Sequence, residues 1–341
     1  MHNRPRPTAI ISLLPALLSA QAVFAAEAPT PPQATISNGV IQAKLYLPDA
    51  EAGYYRGTRF DWSGVFASLT YAGHNYFGPW FEHYDPKIHD AISGPVEEFL
   101  SGASAIGYDE AKPGGTFLRI GVGLLRKPVE EKFDRFKTYE IVSNGKWKVE
   151  PKADRVTFHQ QAADPTSGYA YSYTKTASLE PGKPVLILQH SLKNTGSKTL
   201  STEVYDHNFL VIDGTPTGPG FTLTFPFAPA ATGELNGFVE TQGHSLVYVK
   251  DLGPKDEKGQ YVMVQLKGYG PSRSDNDIRV ENQKTGAGVH ITGSQPLFKL
   301  LFWSVSTVLA PEPYLHFDIQ PGQTVKYEIR YEFYTTTPGK M

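Results

Sequence analysis

The stretch TVKYEIRYEFY, residues 324–334, places Val325, Tyr327, Ile329, Tyr331 and Phe333 on one side and Lys326, Glu328, Arg330 and Glu332 on the other. A period of two is the spacing of a strand with one buried and one solvated face. Other segments share strand character, among them GVIQAKLYL, GVFASLTY, TFLRIGVGLL, RVTFHQQA, YAYSYTKTASL, PVLILQHSL, STEVYDHNFLVI, GFTLTFPF and FKLLFWSV. The connectors SNG, EPGK, NTG, QKTG and QPGQ carry turn chemistry, with Pro fixing φ or Gly supplying a positive one. Helical periodicity is nearly absent, and only GPVEEFLSG, residues 94–102, reads as a short helix. So many strands with so little helix between them predict an all-β chain, a large antiparallel sandwich or barrel rather than a parallel α/β fold. Without an internal linker or repeat, residues 35–341 read as one domain.

Ahead of that domain, Arg4 and Arg6 precede an apolar run over residues 9–18 and then small residues. This is the layout of a secretory signal over residues 1–25, cut after Ala25, followed by a flexible Ala/Pro-rich leader over residues 26–34. The expectation is a periplasmic or secreted protein. It has no membrane span once the signal is removed, because no other stretch approaches the roughly 20 apolar residues required. The chain contains no cysteine, which excludes disulfides, thiolate metal sites and a cysteine nucleophile. Its 32 basic and 34 acidic residues produce no field for a polyanion, and no Lys/Arg block marks a nucleic-acid groove, so nucleic acid is not an expected partner. No GxSxG, phosphate loop or dinucleotide fingerprint occurs, and no cofactor is expected.

Two stretches hold the chemistry. In YDHNFLVIDG, residues 205–214, His207 stands where a polar run becomes apolar. In LAPEPYLHFDIQPGQ, residues 309–323, Glu312 lies between Pro311 and Pro313, whose rings stiffen the backbone that carries the carboxylate. An isolated histidine usually just bonds a neighbour, and a Pro-Glu-Pro usually just ends a strand. Nearer the N-terminus, GYYRGTRFDWSG and GHNYFGPWFEHYDPKIHD are dense in Arg, His, Trp and Tyr, which bind sugars through forked hydrogen bonds and stacking. Arg59 and His74 are the candidates there, although Phe60 and Trp62 suit a core equally well. His83, Asp85, His89 and Asp90 match no trusted metal-ligand spacing, so no metal is expected. His159 and His190 fall in strand patterns and read as structural.

Taken together, LKNTGSKTLSTEVYDHNFLVID and LAPEPYLHFDIQPGQTVKYEIRYEFY resemble the aldose 1-epimerase, or galactose mutarotase-like, superfamily over roughly residues 175–335. In that family a histidine follows a strand and an NTG-type turn, and a glutamate precedes a PG turn and a final aromatic strand. The C-terminal stretch resembles the hexose-phosphate branch, whereas the signal favours a free sugar. The resemblance implies a β-supersandwich and interconversion of sugar anomers, with Glu312 as base and His207 as acid. Asp206 and Asp213 are expected to raise the pKa of His207. The family's motif with a second histidine is missing; GGTFLRIGVG stands in its region with Arg119 as a polar contact, and Asn208 beside His207 is a further one. Asp251 and Asp277 both stand as the acidic partner between His207 and Glu312. The expected partner is a sugar or short glycan end. Two other functions suit the same scaffold: a non-catalytic carbohydrate-binding protein, and a glycan lyase or hydrolase.

Overall fold

A computed structural model describes residues 30–254 and 257–337, so the signal and residues 26–29 of the leader lie outside the described residues. Gln33 and Ala34, the last positions assigned to the leader, already belong to the strand Gln33–Ser37. As the alternation predicts, the described residues fold into antiparallel sheets of ten, six, four and three strands. The helical content of the described residues is confined to two single 3-10 turns, Ile212–Gly214 and Arg273–Asp275.

The ten-stranded sheet is built around Thr324–Thr335, paired on one side with Val185–Asn194 and on the other with Ala287–Gly293. The six-stranded sheet runs in the order Ala230–Glu234, Val262–Lys267, Lys299–Val305, Val308–Ile319, Leu200–Phe209, Gly94–Leu100. One apolar cluster joins the two, with Leu188, Leu192, Ile329 and Phe333 from the larger sheet and Val204, Leu266, Phe302 and Leu315 from the smaller. That burial is the main favourable term in holding the layers together.

Two sequence expectations are corrected here. TFLRIGVGLL is not one strand but a hairpin, Thr116–Arg119 and Gly123–Arg126, turned by Gly121 and Gly123 at φ of 80° and 135°. A Cβ on Gly121 would meet Asp61 Oδ1 at 2.3 Å, so the turn needs both the positive φ and the missing side chain. GPVEEFLSG is not a helix: Gly94–Leu100 is a strand, buried at every residue. Pairing with Leu200–Phe209 decides its conformation, and it sends the neighbouring Glu97 and Glu98 to opposite faces of the sheet.

Glu97 points into the sandwich. There Lys175, His190 and Tyr327 form a cross-strand row on the larger sheet, while Glu97 stands beside Asp206 on the smaller. Lys175 Nζ donates to Glu97 Oε2, and His190 Nε2 lies 2.7 Å from the other carboxylate oxygen. Tyr331 donates to Asp206 and Tyr173 to Asp61, each at 2.9 Å. Burial alone would raise the Glu97 carboxyl, yet Lys175 and His190 hold it at about 2. Asp61 is pushed by burial up to about 6.

Candidate active site

On its other face the six-stranded sheet floors a cavity of about 620 Å³. Cross-strand register assembles that floor. Met263 is opposite Trp303, Leu301 opposite Glu312, and Tyr205 opposite both Tyr314 and Glu98. The ladder between Leu200–Phe209 and Val308–Ile319 runs to Tyr205↔Tyr314 and resumes at Leu210↔Leu309, and the same register sets His207 opposite Glu312. Leu210 and Leu309 exchange two backbone bonds, of 3.0 and 3.3 Å, so alternation would place the next bonded pairs at Asn208/Pro311 and Asp206/Pro313. Proline has no N–H to give. In place of part of that ladder, Asn208 Nδ2 donates to the Pro311 carbonyl at 2.8 Å. His207 and Glu312 thus occupy a non-hydrogen-bonded position, where facing side chains come closest.

His207 Nε2 lies 3.2 Å from Glu312 Oε1, and both side chains are 5% exposed. The imidazole stacks on Phe209 with centroids 3.7 Å apart and meets the edges of Phe60 and Trp303 at 5.8 and 5.5 Å. Among the described residues its Nδ1 finds no hydrogen-bond partner, so the ring's polar contact is made at Nε2. Tyr314 donates to the far oxygen of Glu312 at 3.2 Å. Burial pushes the Glu312 carboxyl up to about 7. Burial, with the guanidiniums of Arg59 and Arg135, pushes the His207 imidazolium well below its usual range.

This reverses the expected effect of Asp206 and Asp213 on His207. Asp206 projects to the opposite face and bonds Tyr331, and Asp213 is bound to His74 Nδ1 at 2.9 Å and to the Asn75 N–H. Neither carboxylate reaches the imidazole, and low dielectric with two cations prevails.

Of the residues selected from sequence, His207, Glu312 and Arg59 come together on the cavity wall. His74 is held by Asp213 away from it. Arg119 lies beneath the wall, 1% exposed, with Nη2 donating to Glu98 Oε1 at 3.1 Å. Asn208 faces the sandwich interior, its Oδ1 2.7 Å from the Tyr331 hydroxyl oxygen. Asp277 pairs with His290, and neither it nor Asp251 lines the cavity. His89 and Asp90 do line it, their side chains 3.6 Å apart, while His83 and Asp85 do not. Among the described residues no group of three or more His, Cys, Asp or Glu side chains gathers as a metal site.

Sequence reasoning missed Glu98, Arg135, Trp80, Trp303 and Tyr314. Glu98 is fully buried and gathers three guanidiniums: Arg59 Nε at 2.9 Å, Arg119 Nη2 at 3.1 Å, and Arg135 Nη2. Tyr205 donates to the same carboxylate at 2.5 Å and stacks on Tyr314 at 4.2 Å. Burial alone would raise Glu98, but Arg59, Arg135 and Arg119 hold it well below the usual carboxylate range. Trp80, stacked on Phe209 at 5.2 Å and edge-on to Trp303 at 5.4 Å, closes the aromatic side.

Comparison with solved structures identifies the architecture. A galactose mutarotase related enzyme from Lactobacillus acidophilus superposes with a TM-score of 0.53 at 13% identity, over 91% of this chain and 100% of its own. An aldose epimerase homologue from C. elegans gives 0.53 at 16% identity, over 90% and 100%. A galactose mutarotase-like protein from Lactobacillus casei gives 0.52 at 16%, over 89% and 100%. The sequence matches no protein-family model and no curated protein. The fold is the galactose mutarotase-like β-sandwich.

Proposed function

We propose that the protein is an exported, aldose 1-epimerase-like enzyme that interconverts the anomers of a sugar, with His207 and Glu312 as the proton-transfer pair. The observation that carries this reading is their facing arrangement, 3.2 Å apart on one wall of an aromatic-lined cavity. Below about pH 7 the pair holds one proton, written either as carboxylic acid and imidazole or as carboxylate and imidazolium. In the second form Glu312 takes the proton from the anomeric hydroxyl while His207 Nε2 gives one to the ring oxygen, and the ring C–O bond breaks to leave an aldehyde. The aldehyde turns about its bond to the neighbouring carbon. Closure then returns both protons, so the pair ends as it began. The aromatic walls suit the C–H faces of a sugar, and Tyr314 steadies the carboxylate.

Anomer exchange followed by NMR on a panel of hexoses, pentoses and short glycans tests this. The protein should accelerate exchange, with His207→Asn and Glu312→Gln each losing about a hundredfold. No acceleration with any sugar would sink the proposal in favour of a binding protein or a glycan-cleaving enzyme. The same rate followed against pH tests the protonation. Because the folded pKa of Glu312 is raised to about 7, the working proton is present below that value and lost above it. Exchange should therefore decline through pH 7 with the loss of one proton. A rate unchanged between about pH 6 and about pH 9, roughly one unit below and two above that pKa, would remove Glu312 from this role.

A further inference from the structure

Antiparallel strands keep their register through backbone bonds exchanged at alternate pairs, and proline cannot supply its share. On Val308–Ile319 the residues just before and just after Glu312 are both prolines, and the regular ladder with Leu200–Phe209 stops at Tyr205↔Tyr314. Pairing with Lys299–Val305 on the other side runs unbroken through Pro313, Glu312 and Pro311. The strand that carries the carboxylate is therefore least fastened on the side that faces His207. Yet His207 Nε2 and Glu312 Oε1 stand 3.2 Å apart.

Asn208 bridges that side. Its side chain is wholly buried in the sandwich interior and lines no part of the cavity. Nδ2 donates to the Pro311 carbonyl at 2.8 Å, and because a carbonyl only accepts, the orientation of the amide is fixed. Oδ1 is then turned toward the Tyr331 hydroxyl, 2.7 Å away, which also lies 2.9 Å from Asp206 Oδ2. Tyr331 belongs to Thr324–Thr335 of the larger sheet, so one amide spans both the seam between two strands and the space between two layers. Asn208 and Tyr331 are shut off from solvent, and water does not compete for these contacts. Asn208 directly follows His207 in the chain and Pro311 directly precedes Glu312. A shift at the seam thus passes to both members of the pair through backbone alone.

We propose that Asn208 is a positioning residue for the proton-transfer pair: its side chain replaces the bond that Pro311 cannot give and holds Glu312 opposite His207 at working distance. The part of this statement that concerns catalysis rests on the mutarotase reading, and the part that concerns geometry does not. A displacement of about 1 Å at a reacting group can cost about a hundredfold in rate, so a fastener outside the cavity is enough to govern the reaction.

The test replaces the amide by an apolar group of similar size. In Asn208→Leu, kcat for anomer exchange should fall roughly tenfold or more while KM stays within about twofold, because the residues that meet the sugar are untouched. Carbon-13 NMR of the Glu312 carboxyl reads the same geometry without a sugar. Burial holds that carboxyl at about 7, so water admitted at a loosened seam should lower its midpoint by about one unit. The charged groups that face Glu312 are His207, Arg59, Arg135 and Glu98, all carried on other segments and all retained in the variant. In a Pro311→Ala background, where a backbone N–H is again present to complete the ladder, the same change at Asn208 should cost little in either readout. Asn208→Ala, which only removes atoms, serves in the same way should Asn208→Leu not fold. An unchanged kcat and midpoint in folded variant would overturn the proposal, as would a loss that is just as large in the Pro311→Ala background. Wild-type protein that exchanges no sugar would end the mutarotase reading, and the carboxyl midpoint would still decide whether Asn208 sets the geometry of the pair.

Discussion

Glu98→Gln should cost the protein about 3–5 kcal/mol of stability in urea unfolding at neutral pH. Gln has the shape of Glu but no charge, so Arg59, Arg119 and Arg135 would be left converging on a neutral amide. Arg119 can find little relief in water, since its side chain is 1% exposed. Tyr205, which donates to Glu98, would have to compete with the guanidiniums for the one remaining side-chain oxygen. The folded pKa of Glu98 is depressed, so its stabilising contribution is present above the ordinary carboxylate pKa and disappears as pH falls through the depressed value. Wild type and variant should therefore converge only in strong acid. A loss below about 1 kcal/mol at neutral pH would mean that the cluster is solvated or relaxed in a way the packing does not allow.

Lys175→Met should be comparably damaging, again about 3–5 kcal/mol, because it strips the buried cation from Glu97. Lys175 and Glu97 are both wholly buried. Asp61 and Asp206 lie in the same network, and burial already drives both carboxyls upward. His190 offers limited compensation, since burial lowers its pKa and it resists becoming the replacement cation. Adding Glu97→Gln to Lys175→Met should restore most of the loss, because a neutral pair has no unbalanced charge to bury. The double-variant cycle gives the coupling directly. A double variant no more stable than the single one would show that Lys175 acts through packing rather than charge.

Alternation within each segment made the sandwich legible: Thr324–Thr335 buries Tyr327, Ile329, Tyr331 and Phe333 just as the sequence pattern predicts. His207 and Glu312 were legible through the family resemblance, and their proximity follows once the cross-strand register is known. Glu98 was not. In Gly94–Leu100 every residue is buried, so no polar/apolar alternation exists to be read, and two adjacent glutamates look like a solvated surface. Their partners come from distant parts of the chain: Lys175 and His190 for Glu97; Arg59, Arg119 and Arg135 for Glu98. A buried charge becomes intelligible only beside its counter-charge, and sequence order keeps the two apart. His74 illustrates the converse. Its aromatic surroundings suggested a sugar contact, but the turn at Ile212–Gly214 brings Asp213 to it instead.

The prolines on either side of Glu312 give the sheet a seam. Where the ladder between Leu200–Phe209 and Val308–Ile319 would ordinarily be stitched at Pro311 and Pro313, those two backbone stitches are missing, and firm pairing lies on both sides of the gap. Separation of the two strands at that point breaks no proline N–H bond, because there is none to break, and is opposed by the Asn208 Nδ2 bond to the Pro311 carbonyl. The amide protons of Asp206 and Asn208, which face this seam, then become local reporters: any breathing of the seam registers in their hydrogen exchange while the flanking rungs stay protected. The stiff prolyl backbone and the compliant gap are two products of the same pair of rings, one holding the carboxylate still and the other giving the strand opposite it room to move.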